Sequence, residues 1–105
     1  MKIIHTPNAP AAIGPYSQAV VSNGTLYVSG QIPVDPATGA FAGDTIAQQA
    51  EQSCKNVGAI LAAAGADFGK VVKTSCFLAD MADFAVFNEV YARYFVSKPA
   101  RACVA

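Results

Sequence analysis

The sequence has little charge. Only 13% of its 105 residues are Asp, Glu, Lys or Arg, whereas 53% are hydrophobic. A typical soluble domain carries about 25% charged residues. Disordered chains combine high charge with low hydrophobicity, so this composition excludes disorder. Because so few charges are available to cover the surface, we expect one face of the protein to pack against further copies of the chain in a homo-oligomer.

Positive charge is not concentrated anywhere in the chain, and the seven basic and seven acidic residues cancel. Nucleic-acid-binding proteins need clustered Lys and Arg, so we expect no nucleic acid partner. No apolar run approaches the roughly 20 residues of a membrane span, and the N-terminus lacks the apolar segment of a secretion signal. We therefore predict no membrane association and a cytoplasmic location.

The chain also lacks the sequence signatures of metal and nucleotide sites. It has one histidine, scattered carboxylates and no glycine-rich phosphate loop, so a zinc site is not expected. Its three cysteines, Cys54, Cys76 and Cys103, are widely spaced and form no CxxC motif. This pattern is typical of reduced thiols in the cytosol, and we expect Cys54 and Cys76 to be buried structural residues.

Local patterns predict the order strand, hairpin, helix, strand, helix, strand within one domain spanning residues 1–105. The hairpin is predicted from Asn23-Gly24, a dipeptide favoured in type I′ turns. The start of the first helix is predicted from Thr45 and Gln48, which fit a capping box, and its end from Gly65. The predicted elements are a strand at 2–5, a hairpin at 19–30, a helix at 45–65, a strand at 71–78, a helix capped by Asp80 or Asp83, and a strand from 101 to 105.

This order of elements predicts an α/β (α+β) fold. Helices that separate strands imply crossover connections, so we expect a single mixed sheet with two helices on one face. The other face of the sheet is then left for a partner subunit. The final predicted strand is still apolar at Ala105, so we expect a further C-terminal strand beyond the given sequence.

Arg101 is the strongest candidate for a functional side chain. It is one of only two arginines and lies at the start of the last predicted strand, directly after Pro99-Ala100. Alternation along the strand places Arg101 and Cys103 on the same face. A guanidinium in that position can bind a carboxylate through two hydrogen bonds. The alternative is a solvated arginine at the edge of the sheet, the commoner situation for this residue type.

Cys103 is a candidate pocket residue because it shares that face with Arg101. A cysteine acts as a nucleophile only when a base or a positive field lowers its pKa. Arg101 offers a field, but the sequence does not place the single histidine, His5, near Cys103. A Cys–His dyad therefore cannot be argued.

Three further candidates surround the predicted hairpin. Gly30 follows Ser29 at a strand end, where a glycine lets a ligand approach the backbone and where N–H groups can meet an oxygen. An ordinary strand end explains the same pair equally well. Tyr16 lies in a turn that presents an aromatic hydroxyl, although most such residues only pack.

Four separate blocks of the sequence carry a family resemblance: Gly14–Ala19, Leu26–Pro33, Phe87–Tyr91 and Pro99–Val104. In these blocks, and in their order, the chain closely resembles the RidA (YjgF) family over almost its whole length. The resemblance implies a chorismate-mutase-like α/β fold, assembled as a homotrimer with sites in the clefts between subunits. It also implies hydrolysis of 2-iminobutanoate and 2-iminopropanoate to 2-oxo acids and ammonia, without cofactor or metal. In this family such imines come from pyridoxal-phosphate enzymes.

The resemblance also implies roles for the candidate residues. Arg101 matches the family arginine that binds the substrate carboxylate. Tyr16, Ser29, Gly30 and Cys103 match residues that line the pocket, and no covalent role is implied for Cys103. A glutamate on the family's final strand, beyond the given sequence, helps to orient water. Two alternative functions stay open: a non-catalytic module that binds 2-oxo acids, and RNA cleavage with translational inhibition, which the neutral charge and single histidine disfavour.

Overall fold

The computed structural model describes all residues from 1 to 105. Its strands are β1 (Lys2–Ile4), β2 (Ala19–Ser22), β3 (Thr25–Val28), β4 (Lys73–Phe77) and β5 (Ala100–Val104). Its helices are α1 (Ile46–Ala63) and α2 (Phe84–Tyr94), and short 3-10 turns cover Phe68–Lys70 and Met81–Asp83. The predicted order of strands and helices is confirmed. Neither helix combines the length and the apolar character that crossing a bilayer demands.

The predicted hairpin is confirmed in its position and its turn. β2 and β3 pair antiparallel, with Ser22 opposite Thr25. Asn23 and Gly24 both have positive φ, at 51° and 76°, as a type I′ turn requires. β1 adds to the outer edge of β2, also antiparallel.

Both predicted ends of α1 are confirmed. The Thr45 hydroxyl accepts a hydrogen bond from the Gln48 N–H at 3.2 Å, and Gln48 Oε1 accepts one from the Thr45 N–H at 3.3 Å. These two bonds form a capping box, which satisfies two free donors of the first turn. At the other end, Gly65 has φ of 75° and donates to the Ala62 carbonyl at 3.0 Å, so a glycine in the left-handed region ends the helix.

The start of α2 differs slightly from the prediction. Asp80 accepts a hydrogen bond from the Ala82 N–H at 2.9 Å and so caps the 3-10 turn that leads into the helix. Asp83 directly precedes α2 but makes no capping bond with its side chain. Of the two candidates, only Asp80 acts as a cap, and it caps the turn rather than the helix.

The predicted single mixed sheet is corrected by the structure. Within residues 1–105 the strands form two ladders: an antiparallel sheet in the order β1-β2-β3, and a parallel pair of β4 and β5. The parallel pairing needs a crossover, which α2 provides. The order of elements predicted this crossover, but it does not specify which strand edges pair. No hydrogen-bonded strand joins the two ladders.

Each ladder has one face covered by a helix. Ile60 of α1 is fully buried against Ile4 and Ala19 of the antiparallel sheet. On the other side of α1, Cys54 packs with Tyr91 and Phe95 of the α2 region, and this cluster extends to β4. The faces of the ladders without a helix carry exposed apolar side chains, including Ile3 (60% exposed), Tyr27 (60%) and Phe77 (78%).

Candidate functional site

The alternation of β5 turns its two functional candidates toward α2. Arg101 and Cys103 are half-buried, whereas the residues between and beside them are exposed on the opposite face. The parallel register places Arg101 opposite Thr74 and Cys103 opposite Cys76. The prediction that Arg101 and Cys103 share one face is therefore confirmed.

Arg101 is held by α2 on two sides. Its Nη1 donates a 2.6 Å hydrogen bond to Asn88 Oδ1. Its Cζ lies 4.7 Å from the ring centroid of Tyr91 and 5.3 Å from that of Phe84. Both distances are within the range of cation–π attraction. The amide of Asn88 is neutral, so this anchoring leaves the positive charge of the guanidinium available to an anion.

Tyr91 is itself fixed in place. Its hydroxyl shares a 2.6 Å hydrogen bond with Thr74 Oγ1, and its ring stacks on Phe95 with 4.3 Å between centroids. Burial raises the pKa of Tyr91 above its ordinary value, so the phenol stays neutral at neutral pH. The aromatic support under Arg101 is therefore rigid and uncharged.

Arg101 borders an open groove with a volume of about 560 Å³. The lining residues are Asn88, Tyr91, Ala92, Phe95, Val96, Lys98, Pro99 and Arg101. Two of these side chains are cationic and none is acidic. A groove with this lining favours a small anion that also has an apolar part.

The other predicted site residues lie beside the antiparallel sheet. The Ser29 hydroxyl donates to the Ser17 carbonyl at 2.6 Å, and Ser29 lines a second groove of about 220 Å³ together with Tyr27. The hydroxyl of Tyr16, which is 53% exposed, accepts a hydrogen bond from the Ile13 N–H at 3.3 Å. Gly30 is exposed, and a Cβ placed there would meet no atom within 4 Å.

Within one chain these candidates form two separate groups. Arg101 and Cys103 lie together between β5 and α2, while Ser29 lies at the antiparallel sheet. Neither of the two grooves contains residues of both groups, and Tyr16 and Gly30 line neither of them. Neither of these two grooves therefore brings the five residues together.

Sequence reasoning missed the residues that hold Arg101. Phe84, Asn88 and Tyr91 were not predicted as site residues from the sequence. The signal was present, since positions 84, 88 and 91 are spaced i, i+4 and i+7 and share one helical face. A polar Asn88 within an aromatic stripe indicates a specific polar partner rather than simple packing.

Comparison with known proteins places the chain in a family. A family model described as endoribonuclease L-PSP matches residues 6–105. The chain belongs to this family. The L-PSP family includes RidA and YjgF, so the resemblance carried by the four sequence blocks is confirmed.

Members of the L-PSP family with related sequences bear different names. The 2-iminobutanoate/2-iminopropanoate deaminase of Mus musculus is 54% identical over 102 residues, covering 96% of this chain and 76% of the mouse protein. AldR of Lactococcus lactis, named only as a candidate regulator, is 52% identical over 105 residues, covering 99% of this chain and 83% of AldR. The crystal structure of E. coli TdcF with bound serine matches with a TM-score of 0.93 at 44% identity, covering 100% of this chain and 86% of TdcF.

Proposed function

We propose that this protein hydrolyses 2-iminobutanoate and 2-iminopropanoate to the corresponding 2-oxo acids and ammonia. The observation that carries the proposal is the state of Arg101: a half-buried guanidinium, anchored by neutral Asn88, beside a groove lined by no acidic residue. The substrates are small planar anions that carry a carboxylate next to the C=N bond. Relatives at 52–54% identity named as 2-iminobutanoate/2-iminopropanoate deaminases support the same reaction.

The reaction mainly requires that the enzyme position the imine relative to a water molecule. Water adds to the carbon of the protonated imine, the C–N bond breaks, and the products are a 2-oxo acid and ammonium. The protonated imine is already electrophilic. Arg101 binds the carboxylate through two parallel hydrogen bonds and so fixes the imine carbon relative to the attacking water. Holding reactants in this way contributes several kcal/mol to the rate.

The complete site is assembled between subunits of a homotrimer in this proposal. The exposed apolar side chains on the helix-free faces, such as Tyr27 and Phe77, support packing against other copies of the chain. Tyr16, Ser29 and Gly30 of one subunit then line the cleft in which Arg101 and Cys103 of its neighbour bind the substrate. The enzyme needs neither cofactor nor nucleic acid in this scheme and acts in the cytoplasm.

A second candidate function is binding of 2-oxo acids without turnover, as a regulatory module. The groove beside Arg101 is lined by no carboxylate that would activate water. The relative AldR, named as a candidate regulator, supports this alternative. Binding of pyruvate or 2-oxobutanoate without any acceleration of imine loss would favour it over catalysis.

A direct assay separates these outcomes. 2-Aminoacrylate generated in situ by a pyridoxal-phosphate dehydratase tautomerises to 2-iminopropanoate, whose loss is followed by absorbance. We expect the protein to accelerate this loss and Arg101→Ala to slow it at least tenfold, as expected for loss of a charged hydrogen bond. Arg93→Ala is the matched control, because Arg93 is the other arginine and is exposed on α2. Equal rates for Arg101→Ala and the parent protein would refute the assigned role.

A further inference from the structure

Two of the three cysteines lie directly opposite each other. β4 and β5 run parallel, and their register pairs Cys76 with Cys103. Both thiols are free and half-buried, and both are on the face that is turned toward α2. Neighbouring strands in a sheet are about 4.8 Å apart. Because opposite side chains in a parallel ladder point the same way, the two Cβ atoms are separated by about the same distance.

This spacing suits a bridging ion better than a disulfide. A disulfide needs its Cβ atoms about 3.5–4.5 Å apart, so closing one here would require the strands to move together. Two metal–sulfur bonds of about 2.3 Å each span up to about 4.6 Å when they are collinear. The paired thiols can therefore hold one ion between them with little change in the backbone.

The number of possible ligands near the two cysteines limits which ion can bind. No group of three or more His, Cys, Asp or Glu side chains that could hold a metal occurs in the structure. A tetrahedral zinc site would therefore lack protein ligands. Thiolates prefer soft ions, and an ion that accepts two collinear ligands needs only this pair. We propose that Cys76 and Cys103 form a binding site for a soft monovalent ion of the Cu(I) class.

The pair two positions earlier in the register, Thr74 and Arg101, supplies a compensating charge. Binding converts two thiols and one monovalent cation into a complex with a single negative charge, and two protons pass to the solvent with no change of oxidation state. Arg101 lies two residues before Cys103 and on the same face of β5. The guanidinium therefore favours the dithiolate complex electrostatically.

The site can be tested by titration with Cu(I) under anaerobic conditions, in competition with a colorimetric Cu(I) chelator, and by native mass spectrometry. We expect one Cu(I) per chain in the parent protein and at least a tenfold loss of affinity in both Cys76→Ser and Cys103→Ser. Cys54→Ala is the matched control, because Cys54 is buried in α1 and lies outside the strand pair. It should retain the full affinity.

Several results would overturn the proposal: no binding to the parent protein, full affinity in either serine variant, or loss of affinity in Cys54→Ala alone. Circular dichroism of each variant checks that it remains folded. If a variant does not fold, alkylation of the parent protein with and without Cu(I) gives the same answer, since protection must fall on Cys76 and Cys103 together. Binding is measured without the imine substrate, so this test and the deaminase assay succeed or fail independently.

Discussion

Arg101 donates a 2.6 Å hydrogen bond to the side-chain oxygen of Asn88, and this neutral partner fixes the guanidinium without neutralising it. We expect Asn88→Ala to release the guanidinium and raise KM for the imine several-fold. We expect Asn88→Asp to lower kcat/KM by roughly tenfold or more, because its carboxylate would compete with that of the substrate for the same cation. Steady-state kinetics of both variants test this order.

The decisive comparison for Asn88 is which of the two variants, Asn88→Ala or Asn88→Asp, retains more activity. If Asn88 only packs against its neighbours, the nearly isosteric Asn88→Asp should retain more activity than Asn88→Ala. That result would contradict the anchoring role. Thermal unfolding of both variants shows whether a loss of stability accounts for the change.

The variant Gly30→Ala tests whether another subunit packs so closely against position 30 that only a glycine fits there. A Cβ at this position would meet no atom within 4 Å. Gly30→Ala should therefore leave the melting temperature of the isolated subunit almost unchanged. If Gly30 lines the cleft between subunits, the same variant should lower kcat/KM for the imine or weaken assembly, because a new methyl group would occupy that space. Unchanged activity and assembly would remove Gly30 from the site.

The sequence predicted local structure well because the signals were short-range. Asn23-Gly24 favours the type I′ turn that the structure contains. The capping box of Thr45 and Gln48 joins two residues that are only three positions apart. The division into two ladders was not predictable in this way, since alternation within a strand carries no information about which edges pair. Strand pairing depends on long-range hydrogen bonds.

The candidate site was predictable only in part for a similar reason. The shared face of Arg101 and Cys103 follows from the two-residue period of a strand. The contact of Arg101 with Asn88 joins β5 to α2, and no local pattern specifies which helical face meets the strand. The pairing of Cys76 with Cys103 likewise depends on the register of two strands separated by the whole of α2.

The exposed Phe77 on β4 tests the proposed assembly. Its side chain is 78% exposed in the single chain, so Phe77→Lys should cost little stability within the subunit. It should shift the protein toward monomers in analytical ultracentrifugation, because a buried unpaired ammonium would be unfavourable in an apolar interface. Val86→Lys on α2 is the matched control, with 43% exposure on a helical surface. An unchanged oligomeric state in Phe77→Lys would place the interface elsewhere.

Gln18 tests the polar support beneath the antiparallel sheet. It is only 2% exposed, and its amide donates to the carbonyls of Thr6, Ala9 and Pro10 while accepting from the Thr6 N–H at 2.7 Å. We expect Gln18→Ala to lower the free energy of unfolding by about 2–3 kcal/mol, because buried backbone groups lose their partners. Denaturant titration measures this change.

A matched variant separates this effect from a general effect of glutamine removal. Gln49 is half-buried and makes a single side-chain bond, to the Gly43 carbonyl at 3.1 Å. Gln49→Ala should cost well under half as much as Gln18→Ala. If both variants lowered the free energy of unfolding equally, the additional hydrogen bonds of Gln18 would make no extra contribution to stability.

Cys54 gives the fold a dependence on alkaline pH. Burial, with a smaller contribution from Glu51, raises the pKa of the Cys54 thiol from 9.0 to about 12. Above pH 9 the unfolded chain loses this proton while the folded chain keeps it, so unfolding releases a proton and becomes easier as pH rises. The contribution is fully present below pH 9, declines by up to about 1.4 kcal/mol per pH unit above it, and is lost near pH 12. Denaturant titrations across this range should show a shallower decline in Cys54→Ala than in the parent protein, and parallel curves would contradict the assignment to Cys54.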